Sequence, residues 1–288
     1  MRSMVKKTDA HLHSWDLQKI QYSWLNKDAG ILFDSFTPEK IEKELVEIGV
    51  DSAVLVQADN SLEDSQYMFE QASLFPWIKG VVAWLPLEDP DQTSEIIESQ
   101  YGNNPFFKGV RHLMHVEPDP HWLLQENVLL SLKILADKKI PFDAIGINLQ
   151  QLNSIIEVAE KIPNLKVMID HLNQPPLDDD SKMHEWKNMM GRASKNGNVF
   201  VKISGLGTIN RTGFSSLENA IVPVLNFILE HFQSKRCCCG SDWPISLLDT
   251  SYTETWKIYE SALYKITSNK DEINNIMNET ATVFYGIQ

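Results

Sequence analysis

The chain has 288 residues, 43% of them hydrophobic and 23% charged, which is typical of a soluble globular protein with a large core. Its formal net charge is −13, and no basic cluster offsets it, which argues against a nucleic-acid partner. No apolar run could span a bilayer and no signal-like segment follows Met1, so we expect a cytoplasmic protein without a membrane partner.

Strand-like apolar runs alternate with segments of helical periodicity along the chain. We predict eight strands, over residues 5–13, 51–58, 78–85, 106–114, 141–147, 165–170, 199–204 and 236–240. Helices are predicted between them, at 38–49, 61–75, a short stretch after 90, 122–136, a segment ending at 162, 186–193 and 215–232. Two more helices follow the eighth strand, and Asn269 with Glu272 forms a capping box for the last one.

This alternation predicts a single (β/α)8 barrel of the TIM type over residues 1–288. A doubly wound sheet is the competing arrangement. However, no Gly-x-Gly-x-x-Gly follows the first strand, and the sequence contains no phosphate-binding P-loop. No internal repeat or low-complexity linker indicates a second domain.

The three cysteines are consecutive, at Cys237, Cys238 and Cys239. Neighbouring residues of a strand face opposite ways and cannot form an ordinary disulfide, and the spacing matches no zinc motif. We therefore expect buried, reduced cysteines in the eighth strand.

A histidine pair, His11 and His13, ends the first predicted strand. Side chains two apart in a strand share a face, so the two imidazoles could hold one metal ion or one oxyanion. By itself such a pair favours two unrelated polar histidines on a surface strand. A barrel places its active site at the carboxyl ends of its strands, and this pair lies at such an end.

The other strand ends supply further polar side chains. They are Gln57, Trp84, Arg111 with His112, His171, Ser204 and Asp242. Asp242 is a candidate general base for a water molecule. The histidines at positions 11, 13 and 171 could hold a divalent ion or polarise a carbonyl directly, and Arg111 could bind a carboxylate or a developing negative charge.

Each of these assignments has a structural alternative. Asp242 could cap the turn into Pro244, His171 could bond loop backbone, and Arg111 could pair with a carboxylate of the barrel wall. His112 is predicted to be structural. The remaining histidines are predicted to be solvated, and they are His115, His121, His184 and His231.

Several motifs resemble those of one family. They are Asp9-Ala10-His11-Leu12-His13 with Trp15, Tyr22-Ser23-Trp24-Leu25, Lys108-Gly109-Val110-Arg111, Asp170-His171-Leu172 with Pro175-Pro176, Val201-Lys202-Ile203-Ser204-Gly205 and Gly240-Ser241-Asp242-Trp243-Pro244. The whole chain is similar to the amidohydrolase superfamily, in its branch of sugar-acid and pyrone-dicarboxylate lactonases.

The resemblance implies a distorted (β/α)8 barrel that opens the lactone ring of a sugar acid or related carboxylate. It places the three histidines around the lactone carbonyl and makes Asp242 the residue that activates water. The residues expected to contact the small-molecule lactone are Tyr22, Trp24, Gln57, Trp84 and Arg111. It leaves a homodimer open as the assembly.

The resemblance also bears on metal content. Superfamily members with two metals carry a lysine or glutamate at the fourth strand and a histidine at the fifth. Here Arg111 occupies the first position, and residues 141–147 contain no histidine. These residues fit a single divalent ion, zinc before others, with the ligands His11, His13, His171 and Asp242. They fit catalysis without a metal as well. Two other functions stay open, namely a metal-dependent non-oxidative decarboxylase of the same superfamily and a non-catalytic barrel that binds a sugar acid.

Overall fold

The computed structural model describes residues 6–287, and its eight strands form one parallel sheet in sequence order. The strands are β1 (Lys7–Leu12), β2 (Val50–Val56), β3 (Ile78–Ala83), β4 (Phe107–His112), β5 (Phe142–Ala144), β6 (Val167–Ile169), β7 (Val199–Ile203) and β8 (Cys237–Cys239). The predicted (β/α)8 barrel is confirmed. Val5, where the first strand was predicted to begin, lies outside the described residues.

Helices follow the strands and cover the outside of the barrel. They are α1 (Glu42–Ile48), α2 (Leu62–Leu74), α3 (Pro90–Ile96), α4 (Glu126–Asp137), α5 (Leu149–Lys161), α6 (Asp180–Ala193), α7 (Leu217–Phe232), α8 (Tyr252–Ile266), α9 (Lys270–Asn274) and α10 (Thr280–Tyr285). A π-helical turn, Asn275–Glu279, joins α9 to α10, so the predicted last helix is interrupted. None of the helices within residues 6–287 is long and apolar enough to cross a membrane.

The helix predicted at 122–136 is divided in the structure. Trp122–Leu124 is a separate 3-10 turn, and extended backbone at Gln125 precedes α4. The indole of Trp122 stacks on His112 at 4.0 Å between ring centroids and donates a hydrogen bond to Glu88. These tertiary contacts orient the turn independently of α4. Helical periodicity in the sequence does not reveal such contacts, so it predicts one continuous helix.

The sheet closes irregularly, and this distortion lies at the candidate site. β1 pairs with the segment after β8, through a bridge between Leu12 and Trp243 and a bond from the Asp242 N–H to the His11 carbonyl at 2.8 Å. A Cβ at Gly240 would lie 2.6 Å from the Cβ of His11. Only glycine therefore allows the two segments to approach this closely.

The strands bury alternate side chains inside and outside the barrel. Cys238 packs inside with the C-terminal Phe284 and Tyr285, whereas Cys237 and Cys239 belong to the outer core. All three cysteines are buried and free, as predicted. The C-terminal segment thus packs against interior side chains at the amino ends of the strands, and the candidate site lies at their carboxyl ends.

Candidate active site

The two histidines of β1 and its end are both buried, and their Nε2 atoms are 3.1 Å apart. Nδ1 of His13 donates to the carbonyl of Val56 at 2.8 Å, which orients the ring so that its Nε2 faces the site. Burial lowers the pKa of His11 well below its usual value, because the positive form would lose its hydration. Both residues are therefore held as oriented groups at the same strand end.

Asp242 lies between the histidines. Its Oδ1 is 3.3 Å from Nε2 of His13, 3.7 Å from Nε2 of His11 and 3.9 Å from Nε2 of His171. Burial by itself would raise the pKa of Asp242, but the charge of His171, the hydrogen bond and charge of His13, and the charge of Arg111 lower it below its usual range. The carboxylate is thus ionised and able to accept a proton. Ser241, rather than Asp242, caps the turn, since its Oγ accepts the Trp243 N–H at 3.0 Å.

His171 follows β6 on an unusual backbone. Residues 171–174 all have positive φ, between 45° and 54°, although none of them is glycine. Nδ1 of His171 lies 2.8 Å from Oγ of Ser204, which leaves Nε2 facing Asp242. A left-handed turn of four such residues is costly, and strain of this kind is found at functional sites.

Arg111 both faces the candidate site and pairs with a carboxylate of the barrel wall, the two roles that the sequence left open. Its NH1 donates to Nε2 of His11 at 2.8 Å, inside the site, and lies 3.4 Å from Oδ2 of Asp170 on the barrel wall. Its Nε is buried without a hydrogen-bond partner among the described residues. The guanidinium is therefore fixed by protein groups while one N–H is left for a bound molecule.

A fully buried ionic cluster lies behind His11, and sequence reasoning missed it. Nζ of Lys202 is 2.6 Å from Asp143, 2.9 Å from Asp170 and 3.2 Å from Nδ1 of His11. The hydroxyl of Tyr285 donates to Asp143 at 2.6 Å. Burial by itself would raise the pKa of Asp170, but Lys202, His11 and Arg111 lower it well below its usual value. A lysine within the apolar strand β7 was the available signal.

A cavity of about 470 Å³ opens over these groups. It is lined by His13, Trp15, Ser23, Trp24, Gln57, Ala58, Asp59, Asn60, Arg111, Leu113, His115, Val116, Ile145, His171, Gln174, Gly205, Thr208, Asp242 and Ile245. Catalytic and substrate-binding candidates from five strand ends thus share one cavity. A volume of this size suits a small-molecule ligand.

Two of the predicted substrate-binding residues do not line this cavity. The hydroxyl of Tyr22 donates to the buried Asp64 at 2.9 Å, and Nε1 of Trp84 donates to Nδ1 of His112 at 3.1 Å. Both rings therefore hold loops in place. His115, by contrast, was expected to be solvated but lines the cavity with a buried Nδ1. The outward or inward direction of a loop side chain is not encoded in strand periodicity.

The donor set fits one divalent cation. His11, His171 and Asp242 each offer one ligand atom, and these three atoms lie within 4.8 Å of one another. The Nδ1 atoms of His13 and His171 are occupied by Val56 and Ser204, and such second contacts orient imidazoles that ligate a metal. Imidazole nitrogens with a carboxylate are the ligands that zinc prefers.

The fold and the site define a hydrolase class. The model of the Amidohydrolase family matches residues 8–287, and the chain belongs to this family, so the barrel mouth is the candidate active site of an enzyme. The predicted resemblance is thereby confirmed.

The named relatives are similar to the chain at low sequence identity. The chain is 26% identical over 245 residues to an L-fucono-1,5-lactonase of Burkholderia ambifaria, covering 85% of this chain and 82% of that protein. It is 27% identical to an L-rhamnono-gamma-lactonase of Scheffersomyces stipitis, over 62% of this chain and 59% of that protein. A crystal structure of a Burkholderia multivorans amidohydrolase with bound zinc superimposes with a TM-score of 0.89 at 23% identity, covering 98% of this chain and 99% of that one.

Proposed function

We propose that this enzyme hydrolyses the lactone ring of a sugar acid. The observation that carries the proposal is an ionised carboxylate, Asp242, held within 3.9 Å of three oriented imidazoles at the floor of a cavity. Hydrolysis of a cyclic ester needs a base for water and donors for the carbonyl oxygen, and this arrangement offers both. The similarity to two lactonases supports the same reaction.

In this mechanism Asp242 accepts a proton from the attacking water, since its pKa is lowered and it lies ionised beside the cavity. The water oxygen adds to the lactone carbonyl, and negative charge develops on the carbonyl oxygen. Arg111 lies at the same floor and stabilises that charge by hydrogen bonding. Collapse of the tetrahedral species breaks the bond to the ring oxygen, which takes up the proton and yields a hydroxy acid.

The metal content is part of the proposal. His11, His171 and Asp242, with His13 beside them, would hold one divalent ion, and zinc is the ion we propose. When bound, such an ion supplies Lewis acidity that polarises a carbonyl. The residue functions described above do not depend on which ion is present.

The decisive experiment is a ring-opening assay across a panel of aldonolactones, with Asp242→Asn beside wild type. Asn is the substitution of choice, because asparagine tolerates the positive φ of 59° at this position. We expect kcat/KM to fall by about 10²- to 10⁴-fold, which is the usual contribution of a general base. Asp180→Asn, an exposed change at the start of α6, is the matched control.

Two results would overturn the proposal. One is the absence of turnover by wild type on every lactone of the panel. The other is an Asp242→Asn variant as active as wild type on the best substrate.

A further inference from the structure

Gln57 carries an unsatisfied acceptor on the cavity lining. The side chain follows β2 and is fully buried, and its Nε2 donates to the Asp59 carbonyl at 3.2 Å and to Oδ1 of Asn60 at 3.0 Å. These two bonds fix the orientation of the amide. Oε1 is left without a partner among residues 6–287. Leaving a buried acceptor unpaired is destabilising, and a hydroxyl of a bound molecule would supply the missing hydrogen bond.

His115 presents a second unsatisfied atom. It lies on the 3-10 turn Met114–Val116 after β4, and its Nδ1 is buried without a partner in the described part of the chain. Burial, and to a smaller extent the charge of Arg111, lowers its pKa to about 4. The neutral ring has one donor and one acceptor nitrogen, which is the pairing that a hydroxyl group can satisfy.

The loops that carry these two residues are tied together. Oδ1 of Asn60 accepts the Leu113 N–H at 2.8 Å, which joins the loop after β2 to the loop after β4. Nε2 of Gln151, on α5, donates to the Met114 carbonyl at 3.1 Å. The two unsatisfied atoms are therefore held before a ligand binds, which reduces the entropy lost on binding.

The charges on the lining favour hydroxyl groups over a second carboxylate. Arg111 is the one arginine or lysine among the described lining residues, and the proposed reaction uses it at the lactone carbonyl. Asp59 and Asp242 place two carboxylates on the lining of the same cavity. An additional carboxylate on the substrate would meet no free cation there.

From these contacts we propose that Gln57 and His115 form a hydroxyl-reading subsite, which selects lactones by the positions of their ring hydroxyls. The two are specificity-determining residues, since they contact the sugar ring away from the reacting carbonyl. This inference rests on the proposed lactone hydrolysis for its substrate class. A site with preformed hydrogen-bonding atoms discriminates strongly against an analogue that lacks the matching hydroxyl.

The test is calorimetric binding of 1,5-anhydroalditols, cyclic polyols that keep the ring hydroxyls but have no lactone carbonyl. A parent compound and its monodeoxy analogues are compared on wild type, His115→Phe and Gln57→Met. His115→Phe is the cleaner variant, because Gln57→Met also removes the bonds to Asp59 and Asn60. His184→Phe, the same change at an exposed position of α6, is the matched control.

We expect wild type to lose at least about tenfold in affinity with one monodeoxy analogue, the equivalent of one hydrogen bond. His115→Phe should bind that analogue and the parent equally, while His184→Phe should behave as wild type. The inference is overturned if no anhydroalditol binds to wild type. It is also overturned if His115→Phe and Gln57→Met reduce the affinity for every compound by the same factor. Because this assay needs no turnover, a protein that binds the polyols but opens no lactone would refute the proposed reaction and leave the subsite standing.

Discussion

Nζ of Lys202 lies 3.2 Å from Nδ1 of His11, and neither side chain is exposed to solvent. The ammonium is paired with Asp143 and Asp170, so the positive charge is compensated inside the barrel. Burial by itself would lower the pKa of Lys202, but these two carboxylates raise it. The active-site imidazole therefore packs against an ionic cluster that keeps its charge because of its own internal pairing.

Lys202→Met should destabilise the protein strongly. The substitution keeps the length of the side chain but leaves Asp143 and Asp170 without their cation in a buried site. We expect a loss of about 3–5 kcal/mol in the free energy of unfolding, measured by urea denaturation. Lys182→Met is the control, because Lys182 is exposed and pairs with Asp179 on the surface. Equal stability of the two variants would show that the cluster does not depend on the lysine charge.

The left-handed turn after β6 should be relieved by glycine. Gln174 has a φ of 45°, a region that residues with a Cβ rarely adopt. Gln174→Gly and Gln174→Ala both remove the side chain from the cavity, so they differ only in backbone freedom. We expect the glycine variant to have a Tm roughly 2 °C higher than the alanine variant, from about 0.5–1 kcal/mol of relieved strain. A higher Tm for alanine would mean that this position is unstrained.

Ser204→Ala should weaken metal binding without removing a ligand. Oγ of Ser204 lies 2.8 Å from Nδ1 of His171 and orients the ring whose Nε2 faces Asp242. Loss of such a second contact typically costs about 10- to 100-fold in metal affinity. The measurement is competition of chelator-treated protein with a zinc indicator, and the control is Ser99→Ala on the exposed surface. Zinc affinities that are the same for both variants would argue against His171 as a ligand.

Asp64 predicts a dependence of stability on pH. Burial raises its pKa to about 7 in the folded protein, against 3.8 as the ordinary value, although bonds from Ala58 and Tyr22 lower it in part. Between these two values the folded state binds more protons than the unfolded state, so the contribution of Asp64 to stability falls as pH rises. Asp64→Asn removes this dependence.

We therefore expect the unfolding free energy of Asp64→Asn to rise relative to wild type by on the order of 4 kcal/mol from about pH 4 to about pH 7. Urea denaturation at several pH values measures the difference. The exposed Asp51→Asn controls for the loss of one negative charge. A difference that stays constant over this range would mean that Asp64 is ionised in the folded protein throughout.

The sequence by itself determined the barrel and the strand-end residues of the site. Alternating apolar runs and helical segments specify parallel strands joined by crossovers, and the carboxyl ends of such strands meet at one rim. His11, Gln57, Arg111, His171 and Asp242 could therefore be placed together from the sequence. In the structure all of them except His11 line one cavity, and His11 contacts Arg111 at 2.8 Å.

Only the tertiary structure decided which loop side chains face that cavity and which buried charges pair. Tyr22 and Trp84 form hydrogen bonds outside the cavity, whereas His115 lines it. The direction of a loop side chain depends on its neighbours in space. Lys202 and Asp143 are 59 residues apart, so their pairing leaves no local pattern. Periodicity reports which face of an element is buried, whereas a hydrogen bond or ion pair depends on distances that exist only once the chain has closed.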